Sequence, residues 1–274
     1  MKRSLIVNAD DFGRTVEINQ GIFKTYKCGI VTSVSLMANF DAFQDAVKLI
    51  KQYGLPVGIH FNLTEGRPLS HPSQVPSLLD SNGFFFRKFS FYRRLLTGGF
   101  QRDDIRLELK AQLGKCLDYG LMLDHYDGHH HIHALRDIAP LVRSLGYEIK
   151  RLPFRRISRP HFTQSLNAKL QQSAIHLFEE KSMRAFPTKF WGIDFMDRDN
   201  KYLQLAKILN NLTPGFNELM CHPGFASSKD VGYYNAQRRQ EVDALCESSI
   251  KKIIHDRNIK LISYQEFTSA VPAE

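Results

Sequence analysis

Short apolar runs alternate with helix-patterned segments along almost the whole chain, and that alternation constrains the fold more than any other feature. Leu5-Ile6-Val7, Ile30 to Leu36, Val57 to Phe61, Leu123 to Asp127, Glu148 to Leu152, Phe216 to Cys221 and Lys260 to Tyr264 read as strands. Helical patterns cover about Val16 to Tyr26, Asp41 to Lys51, Asp103 to Tyr119, 136 to 145, Thr163 to Glu180, Lys201 to Asn211 and Glu241 to His255. Asp41 is placed as an N-cap or first-turn acid, and Gly29, Gly120 and Gly146 as helix ends. Repeated strand-then-helix order implies parallel strands joined by right-handed crossovers. A closed barrel and an open doubly wound sheet both satisfy it, and both gather their sites at the C-terminal ends of the strands. No Gly-x-Gly-x-x-Gly follows the first strand, which argues against a dinucleotide fold.

One region breaks the rhythm. Residues 62–99 carry Pro68, Pro72 and Pro76 and an aromatic set, Phe84 to Phe86, Phe89, Phe91 and Tyr92. Such an insertion serves as a lid over a site, as a small packed subdomain, or as both.

Four strand ends carry chemical groups: Asp10 with Asp11, His60, the run His129 to His133, and His222. A single histidine on a strand is usually a packed residue, but a parallel fold brings all four ends together. Asp10 and Asp11 are adjacent, and neighbours on a regular strand face opposite ways, so the chain must bend near Gly13 for both to enter one pocket. Two close carboxylates need a cation or a proton between them. Carboxylate and neutral imidazole suit a borderline divalent ion with open positions for water and substrate. Such an ion acidifies water, a second carboxylate takes the proton, and a histidine donates one to a leaving amine. Asp10 and Asp11, His60, one central histidine and His222 fill these roles, which predicts metal-assisted hydrolysis of an amide or ester.

Composition excludes some classes. The net charge of +9 occurs without a dense Lys/Arg tract, the nearest being Arg151, Arg155, Arg156 and Arg159, so no nucleic-acid partner is expected. The four cysteines are widely spaced and lack a Cys-x-x-Cys, which fits a reducing compartment. With only the three-residue apolar run Leu5 to Val7 before Asn8 there is no signal-peptide pattern, and no run approaches the ~20 apolar residues of a membrane span. The expected location is cytoplasmic.

Asn8-Ala9-Asp10-Asp11-Phe12-Gly13 resembles the opening signature of the YdjC-like carbohydrate deacetylases. Gly29 to Ser33, Gly58 to Thr64, Asp127 to His133 and Glu218 to Gly224 resemble further motifs of that family, in its order. The resemblance implies an irregular TIM-like α/β barrel of mostly parallel strands, a single domain over 1–274 with an insertion at about 62–99. It also implies a divalent metal, Mg or Zn, and removal of N-acetyl groups from amino sugars or oligosaccharides such as chitooligosaccharides. Carried over by position, Asp11, His60 and His129 would hold the metal, Asp10 would be the general base and His222 the general acid. A homodimer is the expected assembly.

Several neighbours have two readings. Asp124 and Asp127 would orient imidazoles or cap the strand end. Arg151 would bind a substrate oxygen, pair with Asp10, or form a surface ion pair. Trp191 is assigned to packed core rather than to a sugar ring, and His130, His131 and His133 receive no role. The competing functions are a glycosidase, for which Asp10 and Asp11 are too close in sequence to flank a bond, and a non-catalytic metal- or sugar-binding protein.

Overall fold

The computed structural model describes residues 3–149, 152–157, 188–196, 200–226, 228 and 234–270. Seven strands form one sheet: β1 (Arg3–Phe12), β2 (Ser33–Leu36), β3 (Val57–Phe61), β4 (Leu123–Gly128), β5 (Thr188–Trp191), β6 (Gly215–Cys221) and β7 (Ile259–Leu261). The order is β4-β3-β2-β1-β6-β5, and every pairing is parallel. β7 pairs with Arg3 to Leu5 at the start of β1, whereas β2 pairs with Asn8 to Phe12 at its end. One edge of β1 is thus shared by two strands, which makes the barrel irregular. β1 is buried from Leu5 to Phe12, as the central strand of a sheet covered on both faces should be.

Helices surround the curled sheet: α1 (Val16–Cys28), α2 (Phe43–Tyr53), α3 (Lys88–Leu96), α4 (Arg102–Asp118), α5 (Ala139–Ile149), α6 (Ile193–Met196), α7 (Lys201–Asn210), α8 (Asn235–Cys246), α9 (Ser248–Asp256) and α10 (Tyr264–Ala270). No helix among the described residues is long and apolar enough to cross a membrane. Between the outer strands β4 and β5 runs the segment 152–157. Phe154 forms a parallel bridge to Tyr126 of β4, and Ile157 packs with Phe190 of β5 in a small buried cluster. This segment draws the two ends of the sheet together and places Arg155 inside.

The structure departs from the sequence reading in identifiable places. The strand expected over 148–152 begins as helix, because α5 runs through Gly146 to Ile149. Gly146 is a packing residue rather than a helix end: a Cβ there would lie 2.7 Å from the Tyr126 ring. Asp41 does not cap α2, whose N-cap is Ala42 without a side-chain bond; Asp45 is the first-turn acid and accepts from Asn19 Nδ2 at 2.8 Å. The helix expected over 241–255 is two helices, broken at extended Glu247. The helix expected over 163–180 and Arg151 lie outside the described residues. In the insertion Phe85 and Phe91 are core residues, while Phe89 is 84% exposed.

Candidate metal centre

Asp11 is the residue that makes β1 into a site. Its φ of 67° puts it in the left-handed region, and the pairing of β1 with β2 slips between Ala9 and Phe12. Aspartate tolerates this conformation better than most side chains, at a cost of order 1 kcal/mol. The turn cancels strand alternation, so Asp10 and Asp11 are both buried on the same side of the sheet. Gly13 N–H donates to Asn19 Oδ1 at 2.6 Å, tying the turn to α1.

The two carboxylates then diverge in their partners. Arg155 Nη1 and Nη2 donate to the two oxygens of Asp10, each at 2.6 Å, and Asn8 Nδ2 adds a third bond at 2.8 Å. The same guanidinium reaches Asp127 at 2.8 Å and Glu218 at 2.7 Å. Burial opposes the charge on Arg155, but Asp10, Asp127 and Glu218 outweigh it and raise its pKa well above the usual value. Asp11 has one oxygen on Arg238 Nη2 at 2.6 Å, while its buried Oδ1 makes no hydrogen bond. Burial works to raise the Asp11 carboxyl, yet Arg238 and His129 hold it well below the usual carboxylate range.

That bare Oδ1 faces two imidazoles. His60, at the end of β3, turns Nδ1 to Asp127 Oδ1 at 2.6 Å, which leaves Nε2 3.7 Å from Asp11 Oδ1. A proton on Nδ1 donated to Asp127 exposes the Nε2 lone pair, the arrangement seen behind metal-ligating histidines. His129, on the turn after β4, sets Nδ1 3.1 Å from Asp11 Oδ1 and Nε2 3.3 Å from Glu65 Oε1. Burial opposes protonation of His129, but Asp11 and Glu65 prevail and lift its pKa to about 9 without a metal. Asp11, His60 and His129 present ligand atoms all within 4.8 Å of one another. One carboxylate and two imidazoles around an unpaired buried oxygen fit a divalent cation and leave further positions open. The neighbouring set Asp10, His60 and Asp127 is less suited, because Arg155 already supplies its positive charge.

His222, at the end of β6, directs Nε2 to 4.0 Å from Asp10 Oδ2. Its peptide N–H donates to Glu241 Oε2 at 2.5 Å. Burial lowers the imidazole pKa to about 4, against the opposing pull of Asp11 and Asp10. The loop that carries it fits tightly: a Cβ on Gly21 of α1 would lie 2.4 Å from Gly224 Cα.

All five residues predicted from sequence therefore surround one buried space. Asp127 takes the orienting position on His60, whereas Asp124 contacts His125 instead, at 2.5 Å. His133 donates from Nε2 to the Arg155 carbonyl at 3.0 Å and so holds the Arg155 segment, while His131 packs edge-on against Phe190. Trp191 is core, with Nε1–H donating to Asn217 Oδ1 at 3.1 Å. Arg155, Arg238, Glu65 and Glu218 were missed by the sequence reading. Arg155 belonged to a basic cluster visible in the sequence, but nothing there marked it above Arg151.

The chain matches the family model described as YdjC-like protein over residues 4–256. It is 36% identical over 272 residues to a carbohydrate deacetylase of Geobacillus stearothermophilus, covering 97% of this chain and 99% of that one. It is also 36% identical over 272 residues to a chitooligosaccharide deacetylase of Yersinia enterocolitica, covering 97% and 100%. A crystal structure from Enterococcus faecalis V583, of a protein provisionally assigned to cellobiose-phosphate cleavage, superposes with a TM-score of 0.78 at 25% identity, covering 97% of this chain and 99% of that one. With its motifs, fold and near-complete coverage in agreement, the chain belongs to the YdjC-like protein family.

Proposed function

We propose that this protein is a metal-dependent carbohydrate deacetylase that hydrolyses N-acetyl groups of amino sugars or their oligosaccharides. The observation that carries the reading is the division between the two aspartates: Asp11 keeps a bare buried oxygen facing His60 and His129, while Asp10 is clamped beside them by Arg155. The full-length similarity to carbohydrate and chitooligosaccharide deacetylases supplies the substrate class.

Asp11, His60 and His129 would hold the ion, Zn2+ or Mg2+. When bound it would polarise the acetyl carbonyl and acidify water. Asp10 Oδ2 lies 4.0 Å from both His60 Nε2 and His222 Nε2, beside the proposed metal position. The bidentate grip of Arg155 fixes the direction of Asp10, so the proton leaving water has one acceptor in place. His222 starts neutral, because burial keeps its pKa near 4. Its Nε2 lies 4.0 Å from Asp10 Oδ2, so in this reading it relays the proton from Asp10 to the amine nitrogen as the C–N bond breaks. The products are acetate and a free amino sugar. A glycosidase would need two carboxylates on opposite sides of a glycosidic bond, whereas Asp10 and Asp11 are adjacent and both lie within 4.0 Å of the same His60 Nε2.

The test is release of acetate and free amine from N-acetylglucosamine and its oligomers by zinc- or magnesium-loaded protein. Deacetylation of at least one of them is expected. Binding without release across the series would leave a sugar-binding protein, and cleavage between sugars would leave a glycosidase.

A further inference from the structure

We propose that Glu65 is a positioning residue that presents His129 to the metal through Nδ1, an inference that rests on the metal-centre reading above. A neutral imidazole carries its proton on either nitrogen. On Nδ1, that proton would occupy the side facing Asp11 and block the site. An acceptor at Nε2 keeps the proton there and leaves the Nδ1 lone pair for the cation. Glu65 Oε1 lies 3.3 Å from His129 Nε2, a buried nitrogen that has not formed a hydrogen bond. A small rotation of the ring completes one.

The carboxylate is held for this task from both ends. The peptide N–H of Glu65 donates to Asn62 Oδ1 at 3.2 Å, and its carbonyl accepts from Asn62 Nδ2 at 2.6 Å and Asn39 Nδ2 at 3.2 Å. Its other carboxylate oxygen pairs with Arg14 Nη1 at 2.6 Å. Arg14 lies on the turn that bears Asp11, where its N–H donates to the Asp11 carbonyl at 3.2 Å. The insertion is thereby linked to the metal turn through Glu65. Glu65, His129 and His130 also place three donor atoms within 4.8 Å of one another, which raises the rival idea of a second cation. Arg14 already provides a positive charge there, and His129 would have to give up both ring nitrogens.

The experiment compares full-length wild type, Glu65→Ala, Glu65→Gln and Asp11→Asn. Zinc affinity and stoichiometry are measured by competition with a chromophoric chelator, and the His129 ring nitrogens are followed by 15N NMR. Wild type is expected to bind one zinc with His129 protonated on Nε2. Glu65→Ala should weaken zinc binding about 10–100-fold, with little change in KM. Glu65→Gln, whose amide oxygen still accepts from Nε2, should recover most of that loss. Unchanged affinity in Glu65→Ala overturns the proposal, as does zinc on Nε2, a rise in KM at constant zinc affinity, or a second zinc that the alanine variant loses. Equal zinc binding by Asp11→Asn and wild type would overturn the metal-centre reading and this inference with it. Loss in Asp11→Asn alone would overturn only this inference.

Discussion

Replacing Arg155 with methionine should destabilise the metal-free protein and disable it at once. Arg155 is fully enclosed and donates to Asp10, Asp127 and Glu218 at 2.6 to 2.8 Å. Removing one partner of a single buried ion pair costs about 3–5 kcal/mol. Burial raises the Glu218 carboxyl, so this group can shed part of its penalty by protonation. Asp127, which Arg155 first and then His60 hold well below the usual range against burial, keeps only its imidazole neighbours in the variant. We therefore expect a loss of about 4 kcal/mol near neutral pH, a large share of the ~5–15 kcal/mol typical of a folded domain, seen by urea unfolding. The pH dependence gives a sharper check. A carboxyl depressed in the folded state stabilises above its unfolded pKa of ~3.9, and the benefit disappears as pH falls through the folded value. The gap between wild type and Arg155→Met should be widest above about pH 5 and narrow toward pH 3. Arg155→Lys should recover only part of it, since one ammonium cannot match a planar fork shared by three carboxylates. A gap below about 1 kcal/mol, or one independent of pH, would refute the reasoning.

Other outcomes follow from the same geometry. Asp10→Asn should retain the metal and lose about 10²–10⁴-fold in kcat, while Asp11→Asn should lose the metal; the reverse pattern in metal analysis would exchange their roles. With His129 raised to about 9, metal loading near neutral pH should release about one proton from it, read with an indicator dye. Without metal, the contribution of His129 to stability is fully present below about pH 6.5 and should be lost as pH rises through about 9. Gly21→Ala would force a Cβ to 2.4 Å from Gly224 Cα, so we expect about 1–3 kcal/mol of destabilisation and a fall in kcat as the His222 loop shifts.

Strands were easiest to read from sequence where an apolar run ended in a chemical group. Val57 to Phe61 ends in His60, and Phe216 to Cys221 leads to His222, so both fold position and candidate site followed from short local stretches. The failures have physical causes. Gly146 looked like a helix end because its packing against Tyr126 depends on a strand distant in sequence. The bend that brings Asp10 and Asp11 together lies in Asp11 itself, at φ 67°, beyond what alternation reveals. Arg155 and Arg238 meet their aspartates across separations of 145 and 227 residues, which local patterning does not record. Glu65 lies one residue beyond the Gly58 to Thr64 motif and acquires its place only through Arg14 and His129.

The central claim is that a cation held by Asp11, His60 and His129 is needed for deacetylation. The most direct measurement is acetate release from an N-acetylglucosamine oligomer during stepwise titration of chelator-stripped protein with zinc or magnesium, with bound metal determined in the same samples. The account predicts no turnover without metal and activity that rises in proportion to occupancy until one ion is bound per chain. Full acetate release by metal-free protein, or occupancy that rises while activity does not, would contradict it.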